Sequence, residues 1–510
     1  MKYLTILLIL CGLLFACKST KPPTTSQANY YQEPHRPQFH FSPEQHWMND
    51  PNGLVYLDGE YHLFYQYYPG GTKWGPMHWG HAVSRDLLHW QHLPIALYPD
   101  PLGYIFSGSA VVDIQNTAGF KTGKTDPIVA IFTYHDIAGE KAGRQDFQYQ
   151  GIAYSNDRGR TWTKYAGNPV IPNPGAKDFR DPKVFWHAAT QRWVLILAQG
   201  DHTVLYTSPD LKKWTKASEF GKDYGSTGRP WECPDLFELP VAGTTEKRWV
   251  LLVSLGDGAP NGGSGTEYFI GQFDGTTFTS DNPPATTLWL DYGRDNYAGV
   301  SWNNSPGDRR LFIGWMSNWQ YAQEVPTTPW RSAMTIPRTL QLKKIGTGIR
   351  LVQEPVQELK KLRGKGINLT KGKNYTLSAT GNDLEVAFQW SENRHNTVCG
   401  LTLFNAKNER LIIGYDAAMQ QVYVDRRGAG KADFSTLFTG KHVAPYSPTG
   451  QTIHLRVLLD RASVELFVDD GAVTMTENFF PKEEFTTLQV MGESAAIQYG
   501  KIYPLRSVWR

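Results

Sequence analysis

The sequence predicts an all-β chain, in which a five-bladed β-propeller is followed by a C-terminal β-sandwich. Three observations favour this fold class. Before residue 350, short apolar, β-branched and aromatic runs alternate with turns rich in Gly, Pro and Asp, and helical periodicity is scarce. A weak repeat recurs within this region. After residue 362, a second series of alternating strand patterns follows.

The composition is typical of a folded, exported β-protein. The chain has 510 residues, of which 40% are hydrophobic, 19% charged and 13% aromatic. Its formal net charge is +3 and it contains no basic block, which argues against a nucleic-acid partner. The same figures exclude a long disordered chain, a multi-span membrane protein and a disulfide scaffold. The many aromatic side chains favour a neutral, polar ligand that stacks on rings.

Residues 1–17 have the pattern of a bacterial lipoprotein signal peptide. Lys2 supplies the positive start, and the apolar run after it is too short to cross a bilayer as a helix. The run ends in Leu-Phe-Ala-Cys, which resembles a lipobox and predicts lipidation of Cys17; an ordinary signal peptide is the alternative. Residues 18–35 are polar and Pro-rich and predict a flexible tether. We therefore expect an exported protein that is lipid-anchored in a bacterial cell envelope, periplasmic or at the cell surface.

The repeat consists of a strand-like run, a turn that contains Asp, and an aromatic residue. Its four clear copies end in RDLLHW (85–90), DRGRTW (157–162), PDLKKW (209–214) and FDGTTF (273–278). Repeats of about 40–50 residues with four strands each are typical of propeller blades, and insertions lengthen the period. With a last unit around residues 311–334, the count is near five blades over residues 36–348. A large sandwich or jelly roll is the alternative that the repeat leaves open.

The phase of the repeat brings three acidic residues together. Asp50, Asp181 and Glu232 precede the aromatic marker of their units by 40, 33 and 46 residues. They would therefore lie on the innermost strands of three different blades, at similar heights along one axis.

The C-terminal part has a separate pattern. Residues 349–362 form a short amphipathic linker in which Val356, Leu359 and Leu362 follow helical spacing. Residues 363–510 predict the sandwich, and they contain no comparable acidic cluster in an aromatic setting. Cys233 and Cys399 show no metal-ligand spacing, and we interpret both as structural, free thiols.

The three acidic residues suit glycosidic bond cleavage. Each motif alone could be a turn, a surface ion pair or the end of a strand. Together, in an aromatic frame, they suggest the pair of carboxyl groups that sugar hydrolysis requires. Glu232, beside Trp and Pro, has the more apolar surroundings and suits the protonated acid, whereas Asp50, among backbone and amide donors, suits the nucleophile. Asp181 would then hold sugar hydroxyls, with Arg180 as its counter-ion.

At these residues the sequence resembles glycoside hydrolase family 32, the fructan hydrolases and invertases. The matching stretches are WMNDPNG (47–53), FYQYYP (64–69), WGHAVSRDLLHW (79–90), FSGSAVVD (106–113), FRDPKVFW (179–186), WECPD (231–235), GWMSNW (314–319) and DRASVELFVDDG (460–471). The resemblance covers about residues 38–505 and implies a five-bladed propeller followed by a sandwich.

The resemblance also implies a retaining mechanism and the role of each residue. Asp50 would be the nucleophile, Glu232 the acid/base, and Asp181 the transition-state stabiliser that binds fructose hydroxyls. Trp rings at these positions could stack on sugar C–H groups. The residues that fall where the family binds the terminal fructose are Asn49, Gln66, Trp74, Phe106, Ser107, Arg180 and Trp315.

The expected activity is that of an exo-acting hydrolase that releases terminal β-D-fructofuranosyl units from levan or inulin, and from sucrose. The segment DGAPNGG (257–263) resembles a loop of exo-acting fructanases and invertases. The alternatives are an endo-levanase and a non-catalytic fructan-binding lipoprotein. We expect no cofactor and no metal, because His78 and His81 lack a third ligand at metal spacing.

Overall fold

The strands of the chain account for nearly all of its regular structure. The computed structural model describes residues 30–307, 309–391, 396–492 and 495–509. Within these ranges the helices are α1 (Ile137–Lys141) and one 3-10 helix (Gln357–Leu362). None of the helices described is both long and apolar enough to cross a membrane. The all-β prediction is confirmed.

Five sheets, antiparallel except for one short strand, follow one another along residues 46–355 of the described chain. The strands of the first two sheets are β1 (His46–Leu57), β2 (Glu60–Tyr68), β3 (His78–Ser84), β4 (Trp90–Leu97), β5 (Tyr104–Val112), β6 (Ile128–His135), β7 (Gln148–Ser155) and β8 (Thr163–Lys164). Those of the next two are β9 (Phe179–His187), β10 (Arg192–Gln199), β11 (His202–Ser208), β12 (Thr215–Phe220), β13 (Trp231–Pro240), β14 (Lys247–Leu255), β15 (Gly265–Phe273) and β16 (Phe278–Ser280). The last region comprises β17 (Tyr297–Ser301), β18 (Arg310–Met316), β19 (Trp330–Arg331), β20 (Ala333–Met334), β21 (Arg338–Ile345) and β22 (Gly348–Pro355).

The first strand of each sheet lies where the five sheets meet. We call β1, β5, β9, β13 and β17 the first strands. Each contacts the next in chain order, and β17 contacts β1, so that the contacts close into a ring. Short β19 adds to the first sheet by pairing in parallel with β1. This is the arrangement that the repeat predicts for propeller blades; the count of five blades stays a prediction.

Two six-stranded sheets form the C-terminal part of the described chain. One contains β23 (Ile367–Asn368), β25 (Asn382–Gln389), β30 (Thr452–Leu459), β31 (Ser463–Val468), β32 (Val473–Asn478) and β34 (Ala496–Pro504). The other contains β24 (Asn374–Thr376), β26 (Val398–Phe404), β27 (Arg410–Asp416), β28 (Gln421–Gly428), β29 (Lys441–Pro445) and β33 (Thr487–Met491). Alternate residues of both sheets pack into one apolar core, as in a sandwich.

Two predicted boundaries differ from the structure. Residues 348–355 form β22, which pairs along its length with β21, so that this part of the predicted linker belongs to the fifth sheet. The 3-10 helix follows, with Leu359 and Leu362 buried. At the other end, Tyr31 of the predicted tether stacks on Trp509 with a centroid distance of 3.9 Å. Residues 30–35 are therefore held against the folded chain by an aromatic contact that composition did not indicate, whereas residues 1–29, with Cys17, lie outside the described residues.

A buried polar network joins the five sheets to the sandwich. Arg338 of β21 donates its Nε to Glu465 of β31 at 3.0 Å, and its Nη1 lies 3.1 Å from Asp291. The imidazole of His40 bridges two sandwich carboxylates: Nδ1 is 2.8 Å from Asp460 and Nε2 is 2.7 Å from Glu465. These side chains are fully excluded from solvent, so each charge depends on its partners.

His40 gives the network a pH dependence. Burial disfavours the imidazolium, but the hydrogen bonds and charges of Asp460 and Glu465 outweigh it and raise the pKa of His40 to about 9. Since the unfolded value is near 6.5, the stabilisation is fully present below about pH 6.5 and is lost as the pH rises towards 9.

We expect the urea unfolding free energy to fall by about 2 kcal/mol more between pH 7 and pH 9.5 in the native chain than in His40→Gln. The variant is less stable at pH 7, where it lacks the imidazolium. Denaturation curves at five or six pH values measure both slopes. Parallel pH profiles for the two proteins would contradict this interpretation of His40.

Candidate active site

A break in strand register recurs at the same level of all five first strands. In each first strand, the pairing with the neighbouring strand changes register over a few residues. These are residues 48–51 of β1, 105–108 of β5, 180–183 of β9, 232–235 of β13 and 297–300 of β17. Pro51, Pro182 and Pro234 lie in three of these breaks, where the missing N–H of proline removes a ladder donor. A β-bulge re-aims the side chains beside it. The breaks hold Asp50, Asp181 and Glu232, near the N-terminal ends of their strands.

The Asp50 carboxylate is held by three neighbouring side chains. Asn49 Nδ2 donates to Oδ1 at 2.9 Å, and Ser107 Oγ donates to Oδ2 at 2.7 Å. Cys233 Sγ lies 3.5 Å from the same Oδ2. Asn49 is itself oriented by the indole N–H of Trp47, which donates to its Oδ1 at 2.7 Å. The carboxylate is buried and its orientation is fixed by contacts from two first strands and from the neighbouring Asn49.

Glu232 is positioned by one cation and one hydroxyl. Arg180 Nη2 donates to its Oε1 at 2.8 Å, and the Tyr297 hydroxyl donates to Oε2. Burial is the largest influence on this group and raises its pKa; the Arg180 charge opposes that effect, and the charge of Asp50 reinforces it. The net direction is upward, which suits a carboxyl group that must be protonated before it can act as an acid.

Asp181 completes the carboxyl cluster. The backbone N–H of Cys233 donates to its Oδ2 at 3.0 Å, and Arg180 Nε lies 3.9 Å from the same oxygen. Burial raises the pKa of Asp181 to about 7; Arg180 lowers it, and the charges of Glu232 and Asp50 raise it. Asp181 has φ +63°, in the left-handed region, because it stands at the bulge of β9.

Two residues at the centre of the site were missed by sequence reasoning. Cys233, interpreted as merely structural, lies between Asp50 and Asp181, with its Sγ 3.6 Å from Asp181 Oδ2. Its only sequence signal is its place inside the ECP motif. Tyr297 contacts Glu232 from β17, a strand in which sequence reasoning had singled out no site residue. Both lie at register breaks, which the sequence does not display.

The predicted sugar-binding residues fall into two groups, of which the first surrounds Asp50. Asn49 and Ser107 contact it directly. Gln66 lies on β2 between two residues that pair with Met48 and Pro51, so it faces the bulged Asn49–Asp50 segment. It is buried, and its Nε2 has no hydrogen-bond partner among the described residues. A buried amide donor without a protein partner is available to a ligand hydroxyl.

The second group is aromatic and lies on the side of β5. Trp74 is half-buried and meets Phe106 edge-on, with ring centroids 6.2 Å apart. Phe106 stacks on His135 at 4.2 Å. These rings offer an apolar wall beside the carboxyl cluster. His135 was not identified from the sequence.

Trp315, one of the residues expected to bind the terminal fructose, has a buried ring, and its role in binding stays a prediction. Trp315 is fully buried and packs against Trp47, Trp319 and Tyr297, which cover its ring. The reason is its place within β18, where it pairs with both Tyr297 and Met334. Its contribution is to support Tyr297 and Trp47, which in turn contact Glu232 and Asn49. Its Nε1 has no hydrogen-bond partner among the described residues.

Comparisons with known proteins agree with this geometry. The profile of the Glycosyl hydrolases family 32 N-terminal domain matches residues 40–355, and that of the family 32 C terminal matches residues 355–504. The chain is 52% identical to a levanase of Bacillus subtilis (strain 168), over 95% of this chain and 72% of the relative. It is 41% identical to an extracellular exo-inulinase of Aspergillus awamori, over 94% of this chain and 96% of the relative.

A solved structure shows the same fold. The crystal structure of the exo-inulinase from Aspergillus awamori superposes with a TM-score of 0.87 at 39% identity, covering 94% of this chain and all of that one. The two family profiles together span both parts of the described fold, including every residue of the carboxyl cluster. The chain therefore belongs to glycosyl hydrolase family 32 and is a glycosidase.

Proposed function

We propose that this chain is a retaining, exo-acting glycosidase that releases terminal β-D-fructofuranosyl units from fructans of the levan or inulin type and from sucrose. The observation that carries the proposal is the buried carboxyl cluster, in which the pKa of Glu232 is raised beside an Asp50 held by two hydrogen-bond donors. The similarity to a levanase and an exo-inulinase supports fructans as substrates.

In the first step, Asp50 attacks the anomeric carbon of the terminal fructosyl unit while Glu232 protonates the departing oxygen. Asn49 and Ser107 hold the nucleophile in one orientation, which lowers the entropic cost of reaching the attack geometry. Positive charge develops on the sugar ring in an oxocarbenium-like state. Asp181 stabilises that state and holds ring hydroxyls, with Arg180 close to both Asp181 and Glu232.

In the second step, Glu232 is ionised and accepts a proton from water, which attacks the fructosyl–Asp50 ester and releases fructose. Departure of the first proton places a negative charge on Glu232, and Arg180 at 2.8 Å compensates it. The same residue thus acts as acid and then as base. Arg180 lowers the cost of the ionised form without overcoming the burial that favours the protonated one.

Export with a lipid anchor on Cys17 completes the proposal. The extracellular exo-inulinase supports export. The anchor rests on the sequence pattern of residues 1–17. An endo-levanase is the alternative enzyme. The reaction products distinguish exo-cleavage from endo-cleavage.

Substitution of the two catalytic carboxyl groups separates their roles. We expect Glu232→Gln to lower kcat/KM on inulin or levan by about 10²–10⁴-fold, because the leaving oxygen is no longer protonated. On an aryl fructoside with a good leaving group, this variant still releases the aryl group, whereas Asp50→Asn loses both activities. Glu238→Gln, an exposed carboxylate on the same strand β13, is the matched control. Equal losses on both substrates for Glu232→Gln would contradict its assignment as the acid.

Tyr297→Phe tests whether the Tyr297 hydroxyl lowers the pKa of Glu232. Loss of a hydroxyl that donates to Glu232 removes support for the ionised form, so the pKa of Glu232 rises further. We expect the alkaline limb of the kcat/KM profile to move up by as much as about one pH unit, while the acid limb stays. An alkaline limb that stays in place or moves down would show that Tyr297 does not tune the acid.

The products test exo-action. The soluble chain from about residue 20, given levan, inulin or sucrose, releases fructose as the only early product from the polymers, and Asp50→Asn releases none. Chromatography of the first few per cent of conversion measures this. A ladder of oligosaccharides would assign an endo-levanase. Binding without turnover of any fructoside would assign a fructan-binding lipoprotein instead.

A further inference from the structure

A cavity of about 590 Å³ opens at the opposite end of the first strands from the carboxyl cluster. It is lined by residues near the C-terminal ends of β5, β9 and β13, among them Val112, Trp186 and Glu238, and by Trp249, Asn303 and Arg310. Its volume lies within the range of small-molecule sites in proteins. Neither the proposed mechanism nor the comparisons give it a role.

The cavity is separate from the catalytic centre. Asp181 and His187 are six residue steps apart along β9, and Glu232 and Glu238 are six steps apart along β13, which corresponds to about 20 Å of extended strand. A buried polar plug lies between the two ends: Lys183 Nζ is 3.3 Å from Asp235 Oδ1, and both side chains are buried. A ligand in the cavity therefore does not contact the reacting carboxyl groups.

The walls present flat apolar surfaces. Phe185, Trp186 and Trp249 are each only half-buried, so parts of their rings are open to the cavity. Phe185 and Trp249 support one another, with ring centroids 5.6 Å apart. Trp186 likewise packs against Trp193, with ring centroids 5.1 Å apart. Such walls suit a ligand with a flat, apolar body.

The cavity also contains a cation that the chain compensates poorly. Arg310 lies over the Phe237 ring at 4.9 Å. Its Nη1 makes two hydrogen bonds of 3.4 Å, to Ser301 Oγ and the Trp302 carbonyl, which is long for a guanidinium. Within the described ranges no carboxylate lies at ion-pair distance from Arg310. The negative charge that acts on it is that of Asp235, which is already paired with Lys183. A guanidinium has five donors, so several remain for a ligand.

We propose that this cavity is a second, non-catalytic binding site for an organic anion with a flat apolar body, such as an aryl carboxylate or sulfonate. The rings of Phe185, Trp186 and Trp249 hold the body, and Arg310 pairs with the anionic group. A neutral sugar has no anionic group to pair with Arg310, whereas the proposed ligand has one.

A matched pair of probes separates the charge from the apolar body. Anilinonaphthalene sulfonate is the anion and phenylnaphthylamine is its neutral counterpart; both gain fluorescence when bound. We expect Arg310→Gln to weaken the sulfonate by about tenfold and the amine by less than about twofold. Trp249→Ala weakens both. Arg410→Gln, an exposed arginine on β27 of the sandwich, changes neither.

Ile114 gives a second test that does not disturb the buried network. This side chain lines the mouth and is 61% exposed, so charges placed there leave the fold intact. We expect Ile114→Asp to weaken the sulfonate by about threefold and Ile114→Lys to tighten it, with little change for the amine. Fructan hydrolysis stays at the native rate in both variants.

Three results would overturn the proposal. The first is equal changes for both probes in Arg310→Gln and in the Ile114 variants, which would mean a purely apolar surface. The second is binding that none of these substitutions alters, which would place the probe elsewhere. The third is displacement of the sulfonate by an inulin-type oligosaccharide, which would make the cavity a sugar site. None of them depends on whether the enzyme turns over fructans.

Discussion

The candidate active site depends on the register breaks of the five first strands. A regular strand would send successive side chains to opposite faces and leave every backbone group paired. At each break the extra residues bend the strand, and Asp181 and Cys233 adopt positive φ there. The backbone N–H of Cys233, on β13, then donates to the carboxylate of Asp181 on β9, in the neighbouring sheet. Because the breaks share one level of the ring, side chains distant in sequence meet.

Burial is the largest influence on the pKa values of Asp181 and Glu232. Three carboxyl groups within one water-poor space cannot all ionise at low cost, so the pKa values of Asp181 and Glu232 rise. Arg180 is the one cation in contact with both among the described residues, and it limits the rise. Each carboxyl group accepts hydrogen bonds from different donors: Asp50 from Asn49 and Ser107, Glu232 from Arg180 and Tyr297, and Asp181 from the backbone N–H of Cys233. The three similar side chains thus have different surroundings.

Much of this could be predicted from the sequence. The repeat and the strand patterns gave the all-β fold, and the acidic motifs with proline identified Asp50, Asp181, Glu232 and Arg180, which do meet. Tyr297 was missed because a tyrosine in a strand has no distinctive pattern, and its contact with Glu232 exists only across sheets. The burial of Trp315 was not foreseen either, because a motif reveals a tryptophan but not which neighbours cover its ring. The packing of Tyr31 on Trp509 likewise joins the two ends of the chain, beyond any local signal.

We propose that Asp50 forms a covalent fructosyl intermediate and that Glu232 helps to hydrolyse it. Glu232→Gln mixed with an aryl fructoside, quenched early and digested, allows mass spectrometry to locate the sugar. We predict one fructosyl group on the peptide that contains Asp50, and none when Asp50→Asn is introduced. A fructosyl group on the peptide that contains Asp181, or steady release of the aryl group with no labelled peptide at any time, would contradict the account.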